Sequence, residues 1–257
     1  MRKIWGICLV LLLTTLSVYS KDMRFIQVDG VFYNSKQADK FEALVEKLNS
    51  EKNVEFVVFT GNNIHKPSPV ELKDFLKKVK KIKSPVYIVL GQKDVNKQKD
   101  LGKKDYMKLV KKYNRTHRTI TSPNYVFSKK GLTFIVADGS KEVIPTPIGD
   151  YKEDVILWLD EKLDDNKDKN VIILQHYPIV PPIKKETHYT YKADEYLQLL
   201  SEHKNVKAVI AGHFNVNKEE IVNEILHIST KNAPAYRIID ILDYETENPT
   251  FWSTLKE

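Results

Sequence analysis

A chain of 257 residues, 42% hydrophobic, suits one α/β domain with a single core. Its net charge of +7 comes from lysines spread along helical faces, with no concentrated basic stripe interleaved with aromatics, which argues against nucleic acid as a partner. Lys77, Lys78, Lys80, Lys81 and Lys83 come closest to a cluster, and they read as the solvated face and last turn of a helix, where cations complement its dipole.

Arg2 and Lys3 open the chain, an apolar run follows from Ile4 to about Leu16, and Val18-Tyr19-Ser20 precedes Lys21 and Asp22. This is the pattern of a secretory signal over residues 1–20, leaving residues 21–257 as the domain, secreted or periplasmic. The run is shorter than the about 20 apolar residues of a membrane span, so no stable span is expected once the signal is removed. An uncleaved anchor is the other reading. Cys8, the single cysteine, lies inside the signal, so the mature chain is expected to have no disulfide.

From Arg24 onward, short apolar runs alternate with amphipathic stripes. Phe25–Val28, Phe56–Thr60, Val86–Leu90, Val171–Leu174 and Val206–Ala211 are continuous runs bounded by Gly, Asn and Asp, and they predict strands buried on both faces. Five helices are predicted between them. One carries Ala38, Phe41, Leu44, Val45 and Leu48. A second carries Leu72, Phe75, Leu76, Val79 and Ile82, opened by a capping box of Ser68 and Glu71 with Pro69 at its first position. The remaining stripes centre on Tyr106 to Tyr113, Val155 to Leu163 and Tyr196 to Leu200. A hairpin is expected over Tyr125–Ser128 and Leu132–Ala137 across a Lys130-Gly131 turn. Late strands are expected at Ile225–Thr230 and Tyr236–Ile241, with a short last one at Phe251-Trp252. Asn114-Arg115-Thr116 matches a glycosylation sequon.

Ligands of open α/β sheets collect at the carboxyl ends of strands. In this chain those ends read Asp29-Gly30, Gly61-Asn62-Asn63, Gly91-Gln92-Lys93-Asp94, Asp138-Gly139, Gln175-His176-Tyr177-Pro178 and Gly212-His213-Phe214-Asn215. Any one of them is an ordinary turn or cap. The ordered set resembles the calcineurin-like metallophosphoesterases, which include purple acid phosphatases and class III cyclic-nucleotide phosphodiesterases. Val57-Val58-Phe59-Thr60-Gly61 looks like the approach to that family's second motif, and Val86 to Gly91 like the approach to its third. Trp158 through Pro178 is similar to its helix, strand and fourth motif, and Asn232 to Arg237 to its closing strand. The resemblance implies an α/β fold built as a layered α/β/β/α sandwich of mixed sheets.

It also implies two metal sites, and this chain departs from both. For the first, Gly30 and Phe32 stand at the Asp and His positions, or Asp29 serves as the Asp after a one-residue shift. The bridging Asp is Asn62 and the last His is Asn215. For the second, the implied ligands are Asn62, Gln92, His176 and His213, none of them charged. Lys93 stands at the family's catalytic His, with Asp94 beside it. An ammonium there repels a divalent ion, while neutral imidazoles suit zinc, iron and related ions and carboxamides bind weakly. The cofactor reading is therefore one divalent metal (Zn, Fe or Mn) or none.

Lys93, His176 and His213 form a candidate anion pocket instead, unless the histidines serve packing alone. Thr187 to Tyr191 reads as a lid, a partner surface or an ordered loop. Three functions follow. The first is a secreted family member with impaired or absent hydrolysis that binds an anionic or phosphorylated ligand or a protein partner. The alternative is a phosphoric-ester hydrolase with one residual metal, and the third is an interaction domain with nothing in the cleft.

Overall fold

The structure is a computed structural model describing residues 22–257, so the signal-type segment and Cys8 lie outside the described residues. The chain runs β1 (Met23–Val28), α1 (Ala38–Ser50), β2 (Val54–Phe59), α2 (Pro69–Val79), β3 (Val86–Ile88) and α3 (Lys103–Tyr113). A hairpin, β4 (Tyr125–Lys129) and β5 (Leu132–Val136), precedes α4 (Glu153–Asp165), β6 (Val171–Leu174), α5 (Ala193–Glu202) and β7 (Val206–Ala211). Strands β8 (Lys218–Val222), β9 (Ile225–Ser229), β10 (Tyr236–Leu242) and β11 (Thr250–Lys256) finish it.

Two mixed sheets result, ordered β11-β10-β1-β2-β3 and β4-β5-β6-β7-β9-β8. Their facing sides share a core in which Phe25 stacks on Phe56 at 4.8 Å between ring centroids and Phe134 meets both edge-on. The outer face of the first sheet packs Ile26, Val57 and Phe59 against Phe41 and Leu44 of α1 and Phe75 of α2. The outer face of the second packs Ile173 and Val209 against Leu159 of α4 and Leu200 of α5. Strands covered on both faces must be apolar at every position, which is why their runs are continuous. The order of layers is thus α/β/β/α, as expected.

The five expected helices form. Pro69 opens α2, and the Ser68 hydroxyl accepts from the Glu71 N–H at 3.4 Å. Two of the lysines read as a solvated face do more than that. Lys78 and Lys81 both grip Glu42 of α1, at 2.8 and 2.7 Å, and their hydrogen bonds draw its carboxyl down to about 2. Strand β8 has no counterpart among the expected elements. Its sequence Lys-Glu-Glu-Ile-Val lacks an apolar run because it is an exposed edge that needs only main-chain pairing with β9. Strand β11 extends well beyond the expected Phe251-Trp252, to Thr250–Lys256, for the same reason.

The sequon at Asn114 is part of the fold. A single turn at Arg115–His117 lies along the outer edge of β3 and satisfies it with side chains. Asn114 Nδ2 donates to Val86 O at 2.9 Å and Thr116 Oγ1 accepts from Val86 N at 3.2 Å. His117 Nε2 accepts from Ile88 N at 3.2 Å, and the Tyr125 hydroxyl donates to Ile88 O at 3.0 Å. Asn114 is buried in making this edge.

Behind the carboxyl ends, a buried polar chain joins the sheets. Gln27 donates to Ala211 O at 2.8 Å and to Thr60 Oγ1 at 3.1 Å, and accepts from Thr230 Oγ1 at 2.6 Å. Arg237 reaches the same Thr230 hydroxyl at 2.9 Å and clamps Glu219 of β8 and Ser253 of β11. This chain fixes how the strand ends of one sheet sit against those of the other.

Candidate functional site: a rewired metal cleft

The loops after β1 and β2 are joined by main-chain bonds from Gly30 N to Gly61 O at 3.2 Å, Phe32 N to Asn62 O at 2.9 Å and Tyr33 N to Asn63 O at 3.0 Å. Left-handed backbone concentrates here: Gly30, Phe32, Gly61, Asn62, His213 and Asn215 all have φ between 46° and 104°. For a residue with a Cβ this costs about 1–2 kcal/mol, and such conformations gather where a site demands them. At Gly61 the demand is steric, since a Cβ there would fall 2.5 Å from His176 Nδ1.

Three of the sequence candidates, His176, Gln92 and Asn62, bring their side chains together by Gly91. His176 is fully buried, and its Nδ1–H donates to Thr60 O at 2.6 Å. On the other side of the ring, Nε2 lies 2.8 Å from Gln92 Oε1. Gln92 therefore occupies this second ring nitrogen. Asn62 Oδ1 accepts from Lys93 N at 2.9 Å. A Cβ at Gly91 would sit 2.6 Å from Asn62 Oδ1 and 2.9 Å from His176 Nε2, so both atoms face one small space that only glycine leaves open.

His213 lies beside this space, its ring centroid 5.0 Å from that of His176. Its Nε2–H donates to Pro147 O at 2.8 Å, and its Nδ1 is buried without a partner. Burial, with the neighbouring His176 and His188 adding to it, pushes the imidazole down to about 2, so the ring is neutral. His188 covers it from the other side at 5.0 Å. The loops bearing Pro147 and His188 are pinned together by Gly149 N to Tyr189 O at 2.9 Å and Tyr191 N to Gly149 O at 2.8 Å. The 187–191 segment is therefore an ordered cover over His213. Sequence reasoning missed Pro147 and Thr60, because both hold the histidines through main-chain carbonyls that leave no signature in residue type.

The carboxylates stand elsewhere. Asp29 is fully buried, accepting from Thr60 Oγ1 at 3.0 Å and His213 N at 3.0 Å. Asp94 is fully buried as well, and it accepts from Asn63 N at 2.7 Å, Ile64 N at 3.1 Å, Gly91 N at 2.9 Å and Asn63 Nδ2 at 3.0 Å. Burial raises its carboxyl to about 6 against the pull of these donors. Asp94 thus ties the second motif to the third, and no lone pair faces the cleft. Asn215 is exposed, its Oδ1 taken by Asn232 N at 2.9 Å. Phe32 lies over Gly30, where the family's His would stand. Lys93 extends into solvent at the rim, and His65 is exposed. Asp138 holds its own turn through Ser140 N at 2.9 Å and pairs with Lys103 at 2.7 Å.

Such a donor set does not fit a two-metal centre. Among the described residues, no group of three or more His, Cys, Asp or Glu is arranged to hold a metal ion. What converges is two imidazoles and two carboxamides, without the anionic charge that offsets a divalent pair.

The family model described as calcineurin-like phosphoesterase matches residues 29–217. Among solved structures, a dimetal phosphatase from Danio rerio superposes with a TM-score of 0.66 at 16% identity, covering 89% of this chain and 98% of that one. GAP50, the anchor in the inner membrane complex of Plasmodium, superposes with a TM-score of 0.60 at 16% identity, covering 86% and 83%. Purple acid phosphatase PPD1 from yellow lupin (Lupinus luteus) gives 0.59 at 13% identity, covering 90% of this chain and 54% of that one. No curated protein sequence matches. With the match spanning strand ends from Asp29 to Asn217, the chain belongs to the calcineurin-like phosphoesterase family.

Proposed function

We propose that this family member works by binding rather than by two-metal hydrolysis, taking an anionic or phosphorylated group of a ligand or protein partner at the cleft mouth by Lys93. One observation carries the reading. Both carboxylates at the old centre, Asp29 and Asp94, have their oxygens turned to protein donors. Asn62 and Asn215 are likewise spent on main-chain N–H groups. Lys93, by contrast, is exposed, and no partner for its ammonium is recorded among the described residues. With His213 neutral, the charges available to an anion at this mouth are that ammonium and the ammonium of Lys185, which lies 3.4 Å from His188 Nε2, both point charges suited to phosphate.

The expectation of secretion belongs to the same reading, with a mature chain beginning near Lys21. No helix among the described residues is long and apolar enough to cross a membrane.

Three measurements test the proposal. Elemental analysis of protein purified without chelator is paired with phosphomonoester and phosphodiester assays across Mn, Zn, Fe and Co. Stoichiometric metal with turnover would overturn it in favour of the one-metal hydrolase. Calorimetric titration with inorganic phosphate should show binding that Lys93→Ala removes, and unchanged affinity in that variant would remove the site. Terminal sequencing of secreted material should begin near Lys21.

A further inference from the structure

Of the four sheet edges, three are guarded. Strand β3 is three residues long, and its edge is satisfied by Asn114, Thr116, His117 and Tyr125. Strand β8 places Lys218, Glu219 and Glu220 in five residues. Strand β4 ends in Ser128-Lys129 and leads into Lys130. Charge, shortness and capping are the ordinary means by which edges avoid pairing.

Strand β11 has none of these. It is seven residues, Thr-Phe-Trp-Ser-Thr-Leu-Lys, without proline and with one charge, at its last position. It pairs along its whole length with β10 on one side, and among the described residues no strand pairs with the other. Trp252 at its middle is 65% exposed.

We propose that this edge pairs antiparallel with the same strand of a second copy, joining two five-stranded sheets into one of ten. The register is self-complementary about Ser253. Phe251 faces Leu255 of the other copy, Trp252 faces Thr254, and Thr250 faces Lys256, each pair occurring twice by the two-fold. No like charges meet, because Lys256 opposes a threonine. Around the edge, charged side chains other than Lys256 are paired within the chain: Arg24 with Asp240 at 2.7 Å, Lys218 with Glu220 at 2.6 Å, Arg237 with Glu219, and Lys231 with Glu257. On a chain of net charge +7, this strip, whose one charge sits at its end, is where a second copy approaches with less of the repulsion that the rest of the surface imposes. Apolar and aromatic cross-strand pairs together with main-chain bonds supply the attraction.

Sedimentation of the full secreted chain should give about twice the monomer mass, dissociating on dilution. Trp252→Glu with Thr254→Glu places four carboxylates at the junction, and Trp252→Lys with Thr254→Lys places four ammoniums. Each double variant should be monomeric, and a one-to-one mixture of the two should recover the dimer. A wild-type chain that stays monomeric at high concentration, or variants that dimerise like it, would overturn the proposal. Hydrogen exchange of the wild-type chain needs no variant. Protection of the β11 amides should rise with protein concentration, and protection independent of concentration would count against pairing equally.

Discussion

Asn62 Oδ1 accepts the backbone N–H of Lys93 at 2.9 Å, and the same oxygen shares the space over Gly91 with His176 Nε2. The side chain standing where the family has a bridging carboxylate is therefore correctly placed and uncharged. Asn62→Asp restores the charge with nearly the same shape and keeps the Lys93 N–H as a donor. It should raise affinity for zinc by at least about tenfold, more than Phe32→His or Asn215→His, whose sites lack their other ligands. Adding Lys93→His should raise it again by removing an ammonium from the mouth. Titration calorimetry decides this, and equal affinity in Asn62→Asp and wild type would mean that the imidazole and position 62 do not share a metal position.

Asp94 should matter for folding and not for ligand affinity. Four N–H groups converge on its carboxylate, and an asparagine in its place would turn an NH2 toward some of them. Asp94→Asn should cost about 2–4 kcal/mol in urea unfolding while leaving phosphate affinity at Lys93 unchanged. A variant of wild-type stability would show that the loops after β2 and β3 are held by other bonds.

Acid should unfold the protein through its buried histidines. Burial pushes His117, His213 and His227 down to about 3, 2 and 4, whereas in the unfolded chain each titrates near 6.5. Below pH 6.5 the unfolded state binds the extra protons, so stability falls as pH falls. Asp94, raised to about 6 from 3.8, works the other way between those values. Three protons less one leaves two, a slope of about 2.7 kcal/mol per pH unit between roughly pH 6 and 4. Urea titrations at several pH values measure it, and a flat profile across that window would contradict the burial of these rings.

Glycosylation at Asn114 should not occur in the folded chain, because its amide nitrogen is the donor to Val86 O. Intact mass of protein secreted from a eukaryotic host should carry no glycan there. Asn114→Ala should lower stability by about 1–3 kcal/mol, since Val86 O loses its partner at a buried position. A glycan found on Asn114 of folded protein would refute the observed edge.

Much of the architecture was legible because it rests on burial. Strands such as Val171–Leu174, covered on both faces, and helices with one apolar stripe, such as Ala38–Ser50, announce themselves by residue type. Strand β8 did not, since an edge held by main-chain bonds places no demand on side chains. The cleft was legible to the same extent. The positions of Asn62, Gln92, Lys93, His176 and His213 could be read from the order of strand ends, but their bonds could not. That Pro147 O would occupy His213, or that Gln92 would cap His176, depends on long-range approach between loops. The two aspartates illustrate the limit most plainly: the residue type suggests chemistry, and only their donors reveal that both are framework.

The left-handed residues around the cleft have one more consequence. Its outline is drawn by main chain: Gly30, Gly61 and Asn62 turn the loops, hydrogen bonds between carbonyls and amides hold them, and Asp94 braces them from beneath. None of those contacts requires an ion. Shape and chemistry are thus separable in this pocket. Lys93, whose side chain is exposed and enters none of these contacts, can be exchanged without recasting the mould. The chain is in that sense a chassis, on which recognition can be rewritten one residue at a time.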